Sequence, residues 1–280
     1  MTIREAYNRA RRSLAAVTED PAFEAGCLVE QFFGMTRAAM LTRGDRPAMP
    51  EAERAFFEAV GQRENGEPLQ YLLGAWDFMG LTLSCGEGVL IPRDDTAVLV
   101  EAVCARLGNK QNLRGLDLCA GTGAVGLAIA RETGAAVVAV EKFDAALAYL
   151  QKNLARYPAL SVRAVQGDVL CAAFAGETVG ALDFIASNPP YIETAELPDL
   201  QREVQREPQT ALDGGADGLV FYRAICTLWA EKLRPGGVLA VEIGETQGAA
   251  VAALFQAAGL SDIQIHRDTA GLDRAVSAVR

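Results

Sequence analysis

Two hundred and eighty residues, half of them apolar, suffice for a main domain of about 200 residues with a smaller one appended. The 26 basic and 36 acidic side chains leave a net charge of −10, which opposes holding duplex nucleic acid by neutralising its phosphates. His266 is the single histidine and none of the six cysteines forms a Cys-x-x-Cys pair, so a zinc ribbon, a His-based triad and a thioredoxin-like dithiol are excluded and no metal site is expected. The cysteines fit free thiols in a reducing compartment. No stretch approaches the ~18 apolar residues of a membrane span, so a soluble cytoplasmic protein is expected.

From Thr2 to about Gly66 the pattern is helical. Thr2 with Glu5 reads as a capping box, followed by an apolar stripe at Ala6, Ala10, Leu14 and Val17. Asp20-Pro21 opens a second helix that carries Phe23, Cys27, Leu28 and Phe32 and stops at Gly34. Another runs from Pro50 past Phe56, Phe57 and Val60. Residues 1–85 hold nine Arg, no Lys and twelve acids, so this small bundle is no basic arm. Between Leu69 and Ile91 apolar and small or polar residues interleave, broken by Gly74 and Gly80, and predict a hairpin. Asp94 to Leu107 reads as helix. Strands are then expected at 115–119, 137–141, 162–166, 184–187 and 238–243, with helices starting near Gly123, Asp144 and Gly218. Such alternation predicts an α/β domain with a largely parallel sheet and a ligand at the carboxyl ends of its strands.

Asp117-Leu118-Cys119-Ala120-Gly121-Thr122-Gly123 follows the first strand and precedes a helix, where a nucleotide-like cofactor needs glycine for close backbone approach. No phosphate-loop Gly-Lys-Ser or Gly-Lys-Thr is present. Glu141 ends the next strand at the spacing of a ribose-hydroxyl acceptor. Asp168, followed by Val169, ends the third, where a carboxylate can accept from an exocyclic adenine amine. Carboxylates at three strand ends suit a ligand with hydroxyls, an amine and a positive charge better than a pyrophosphate. The pattern resembles the Rossmann-like methyltransferases that use S-adenosylmethionine. The plainer reading is that strand-end acids cap helices.

Asn188-Pro189-Pro190-Tyr191 follows a buried strand. Two prolines remove two backbone donors and force the chain out of helix and sheet, leaving strand-end carbonyls to face a cavity. The run resembles the methyltransferases that modify a planar, conjugated nitrogen. In that reading Asn188 accepts one N–H through its side-chain oxygen, the Pro189 carbonyl accepts the other, and Tyr191 packs on the acceptor's flat face.

The flanking segments narrow the resemblance. Arg63, Gly66 to Gly74, Phe78-Met79-Gly80 and Val89-Leu90-Ile91-Pro92-Arg93 look like the linker signature of the bacterial release factor glutamine methyltransferases. Downstream, Glu207 to Gly215, Asp217-Gly218-Leu219, Phe221-Tyr222-Arg223 and Glu242-Ile243-Gly244 with Gln247 are similar to the same family. The resemblance covers the whole chain and implies three parts: a helical substrate-docking domain (1–66), a β-hairpin linker (67–92) and a catalytic domain (93–280). It implies methyl transfer from S-adenosylmethionine to the glutamine of a Gly-Gly-Gln tripeptide in class 1 release factors, with no direct nucleic-acid partner and a monomeric enzyme. It implies cofactor contacts from Asp117, Cys119, Ala120, Gly121, Thr122, Gly123, Glu141, Asp168, Val169 and Asn188. Asn188, Pro189 and Tyr191 would be catalytic, with Pro190 in the substrate pocket. Asp94-Asp95 stands where the family usually has Pro-Glu.

Three other functions share part of this pattern: a ribosomal-protein glutamine methyltransferase, an adenine or guanine N-methyltransferase, and a non-catalytic assembly module. The first shares the reactive loop; the second is opposed by the charge and by the lack of any segment resembling a target-recognition domain; the third is opposed by the intact Asn188 loop. Trp76, Trp229 and the Phe32-Phe33 and Phe56-Phe57 pairs read as core, Cys119 as a small buried residue and His266 as structural.

Overall fold

The computed structural model describes residues 1–177 and 180–280. Its chain divides into two units, Met1–Ala75 with Gln201–Arg206, and Trp76–Leu200 with Glu207–Arg280. The boundary expected at residue 66 thus falls inside the first unit, and the one expected at residue 92 falls inside the second.

The first unit contains α1 (Ile3–Leu14), α2 (Pro21–Phe33), α3 (Arg37–Arg43), α4 (Pro50–Glu64) and α5 (Leu69–Leu73). Thr2 and Glu5 close the capping box on α1, and the Asp20 carboxylate accepts from the Phe23 N–H at the start of α2. Ala6, Ala10, Leu14, Leu28, Val29 and Phe56 are buried, whereas Val17 lies beyond the end of α1 and is exposed. Arg63 near the end of α4 is buried, and its guanidinium donates to both oxygens of Glu24 at 2.7 and 3.0 Å. It also pairs with Glu203 at 2.7 Å, which explains why residues 201–206 belong to this unit. Leu69–Leu73, expected within the hairpin, is a short helix stopped by Gly74 in the left-handed conformation. Four leucine or tyrosine side chains in five residues satisfy either period, so the pattern alone could not separate them.

The second unit begins at Trp76, within the first strand of the hairpin β1 (Ala75–Phe78) and β2 (Leu81–Ser84), turned at Met79-Gly80. It continues through α6 (Ala97–Leu107), β3 (Arg114–Leu118), α7 (Ala124–Thr133), β4 (Ala136–Glu141), α8 (Asp144–Arg156), β5 (Val162–Gln166), α9 (Ala172–Glu177) and β6 (Leu182–Ser187). It ends with α10 (Val220–Ala224), β7 (Leu233–Glu242), α11 (Gly248–Ala257), β8 (Ser261–Arg267) and β9 (Asp273–Val279). The sheet order is β5-β4-β3-β6-β7-β9-β8. The first five strands run parallel; β9 is antiparallel to β7, and β8, antiparallel to β9, runs in the direction of the first five. These last two strands were not among the sequence-predicted ones; β8 alternates Ile263 and Ile265 with polar residues and offers no apolar run.

Every residue of β6 is buried, and alternation sends its neighbours to opposite faces. Phe184 packs with Phe78, Leu83, Leu99, Val103 and Leu127 on one face. Ile185 packs with Leu116, Tyr222, Trp229 and Phe255 on the other. The hairpin therefore contributes to the catalytic core. β3 lies between β4 and β6, so connections leave it in opposite directions and a crevice opens at its carboxyl end.

Candidate active site

That crevice is a cavity of about 360 Å³. The register pairs Leu118 with Val140 on one side and with Ser187 on the other, which brings Cys119, Glu141 and Asn188 to one rim. Asp117, Cys119, Ala120, Gly121, Thr122, Glu141, Asp168, Val169, Asn188 and Pro190 line it. Gly123, Pro189 and Tyr191 do not. Gly123 turns the loop into α7 with φ of 83°, and a Cβ there would meet Leu150 Cδ1 at 2.6 Å. Pro189 is buried, and Tyr191 packs partly buried against the Ile185–Trp229 core.

The Asp117 carboxylate is buried and accepts the Gly126 N–H at 2.8 Å on Oδ2, while Oδ1 has no partner. A Cβ at Gly126 would lie 2.9 Å from Oδ2, so glycine is what lets the helix approach the strand end. Burial, with a smaller contribution from Glu141, pushes the Asp117 carboxyl up to about 7 against the Gly126 hydrogen bond. Glu141 accepts from the Gly121, Lys142 and Phe143 N–H groups at 2.8–2.9 Å. It therefore orders the glycine loop itself. At Asp168 partial burial works against ionisation, yet the Lys142 ammonium at 2.8 Å and the Leu170 N–H hold the carboxyl below its usual range. Burial pushes the Cys119 thiol well up, with the Glu141 charge adding to it, which opposes formation of the thiolate.

Several residues outside the expected set of site residues complete the cavity. Val89, Ile91, Phe143, Leu170, Thr210 and Val220 supply apolar or small walls. Thr96 stands beside Asn188, whose Nδ2 lies 3.3 Å from its hydroxyl. Glu207 is buried and accepts from the Ile91 N–H and the Arg93 guanidinium, stitching the 88–96 segment to the 207–215 segment across the cavity mouth. Asn153 joins β2 to the glycine loop by bonding Ser84 and the Thr122 carbonyl. Gln247 donates to the carbonyls of Tyr191 and Gly218 and so clamps the reactive loop from behind. Most of these lie inside segments quoted above as motifs; what the linear pattern lacked was which of them meet.

Residues 5–74 match the PrmC N-terminal domain family, and residues 94–225 match the Methyltransferase small domain family. A release factor glutamine methyltransferase of Moorella thermoacetica is 43% identical over 100% of this chain and 99% of its own. The chain belongs to the release factor glutamine methyltransferase family. Another member, from Geobacter sulfurreducens, is 39% identical, covering 98% of this chain and 95% of its own. Among solved structures, a methyltransferase from Pyrococcus furiosus shares the fold at 18% identity and a TM-score of 0.54, over 72% of this chain and 89% of that one. The T. thermophilus 16S rRNA N2 G1207 methyltransferase, solved with AdoMet and guanosine, is 25% identical with a TM-score of 0.52, over 74% of this chain and 49% of that one. As expected from the sequence, the catalytic unit is a Rossmann-like methyltransferase fold, the chain also carries the helical domain of the family, and it is an enzyme of the methyltransferase class. No helix among the described residues is long and apolar enough to cross a membrane.

Proposed function

We propose that this enzyme transfers a methyl group from S-adenosylmethionine to the side-chain amide nitrogen of the glutamine in the Gly-Gly-Gln tripeptide of class 1 release factors. The observation that carries the reading is the presence of Asn188 and the glycine loop on the walls of one cavity. The residues fit the cofactor. An unpaired, buried Asp117 oxygen suits an ammonium, Glu141 retains lone-pair capacity for ribose hydroxyls, and Val89, Phe143, Val169 and Leu170 suit a planar base. Bound there, S-adenosylmethionine supplies an electrophilic methyl carbon on a sulfonium.

An amide nitrogen has a delocalised lone pair and is a poor nucleophile. Asn188 Oδ1 accepts one of its N–H groups and the Pro189 carbonyl, in the peptide that joins Pro189 to the wall residue Pro190, the other, which stabilises positive charge as it grows on nitrogen. These two acceptors also fix the nitrogen's direction of approach, and alignment accounts for much of the remaining acceleration. The proton then leaves the product, whose amide is neutral, without requiring a strong base. Glycines flanking the glutamine let the substrate loop enter a narrow opening. The helical unit, which the family's N-terminal domain spans, is the natural docking element for the body of the release factor. The monomeric state and cytoplasmic location belong to this reading.

Single-turnover methylation of purified release factor, followed by fragment mass analysis, tests it. Asn188→Ala should lower the rate by on the order of a hundredfold while cofactor affinity changes only a few-fold. Methylation found on RNA or DNA, or on another residue, refutes the substrate.

A further inference from the structure

At the carboxyl ends of the adjacent strands β6 and β7, Ser187 is in register with Val241, so Asn188 and Glu242 follow as neighbours. Glu242 is 2% exposed and is absent from the cavity wall, whereas Thr96 and Asn188 both line it. The Asn188 Nδ2 donates to the Thr96 hydroxyl oxygen. The Glu242 carboxyl faces that hydroxyl and the Asn188 amide, and its buried Oε2 has no hydrogen-bond partner.

A primary amide has one accepting and one donating end of nearly equal size, and only its partners decide which end faces where. We propose that Glu242 and Thr96 are a positioning pair that holds the donating end of Asn188 away from the cavity and thereby turns its oxygen toward the acceptor nitrogen. This rests on the reading of Asn188 given above. An ionised carboxylate only accepts, so it selects the Nδ2 end. The Thr96 hydroxyl receives one amide hydrogen and passes its own to Glu242. Turned the other way, Asn188 would set its oxygen against the carboxylate and offer the substrate amide a donor, which opposes the charge that develops there.

Selection depends on the charge of Glu242. Burial pushes its carboxyl up to about 7. The Thr96 hydroxyl, Arg274 on β9 and the Asn188 amide act against burial, Asp95 adds to it, and the Tyr191 and Tyr222 phenols also face the group. Once protonated, Glu242 becomes a donor, and the preference for one amide orientation is lost. With cofactor and release factor saturating, kcat of the wild type should therefore fall as pH drops from about 8 to about 6.

Three variants of the full-length enzyme test the pair. Thr96→Val, close in shape but without the hydroxyl, should lower kcat by about tenfold or more while KM for release factor and calorimetric cofactor affinity stay within about threefold. Thr96→Ser should restore kcat. Glu242→Gln, which cannot titrate, should lose the acid limb of the pH profile. Wild-type kcat in Thr96→Val, or an unchanged acid limb in Glu242→Gln, overturns the pair even if Asn188→Ala is inactive. Full activity in Asn188→Ala overturns the underlying reading, and the pair with it. If Thr96→Val loses structure, shown by loss of cofactor binding, the Glu242→Gln profile alone decides.

Discussion

Replacing Asp117 by Asn should make the enzyme more stable and a poorer binder of cofactor. The carboxyl is 1% exposed, one of its oxygens has no partner, and burial raises it from 3.8 to about 7. Because the folded-state value lies above the unfolded one, the folded protein keeps a proton that the unfolded chain releases between those two limits. The associated stability is complete below about 3.8 and is lost as pH rises toward 7. At about 1.4 kcal/mol per tenfold, ionised Asp117 costs the folded state about 4 kcal/mol at alkaline pH. Asn in its place keeps an acceptor for the Gly126 N–H but leaves an amide nitrogen in the position of the unpaired oxygen, at about 1–3 kcal/mol. A net gain of roughly 1–3 kcal/mol should remain near pH 8, and none near pH 4. Urea unfolding followed by tryptophan fluorescence measures it, since Trp76 and Trp229 both belong to the second unit. The same variant should bind S-adenosylmethionine about tenfold or more weakly, and its affinity should no longer tighten as pH rises from about 6 to about 8. A stability difference between variant and wild type that is independent of pH would refute the reasoning.

Glu141→Ala should weaken cofactor binding about tenfold or more and also speed hydrogen exchange at Gly121, because the carboxylate holds that N–H at 2.9 Å; unchanged exchange would show that the loop orders itself. Arg63→Met strands the buried Glu24 carboxylate and should cost the first unit about 3–5 kcal/mol, seen as a lowered melting transition by circular dichroism. Adding Glu24→Met should recover most of it; a double variant as unstable as the single one would mean that packing, not the stranded charge, sets the loss.

Helix limits in the first unit were legible because they are local: a Thr2–Glu5 cap, Asp20-Pro21 and Gly34 act within four residues of themselves. The five parallel strands and helices α6, α7 and α8 of the catalytic unit followed from short apolar runs for the same reason, whereas β8 and β9 did not. The glycine loop and the Asn-Pro-Pro-Tyr run could be read as candidate site segments from the chain alone, because each directly follows an apolar strand and its glycines or prolines fix the local backbone. What linear order does not contain is distance between segments. Nothing local to Glu207 indicates that it accepts from Ile91, 116 residues earlier, or that Asn153 ties β2 to the glycine loop. Nor does it reveal that Glu203 answers Arg63. A carboxylate read at Asp117, Glu141 and Asp168 is one residue type in three places. Only packing makes the first a raised, half-satisfied acid, the second a clasp for three backbone N–H groups and the third an ion-paired group beside Lys142, because solvation and hydrogen-bond partners depend on the surrounding fold and not on neighbours in the chain.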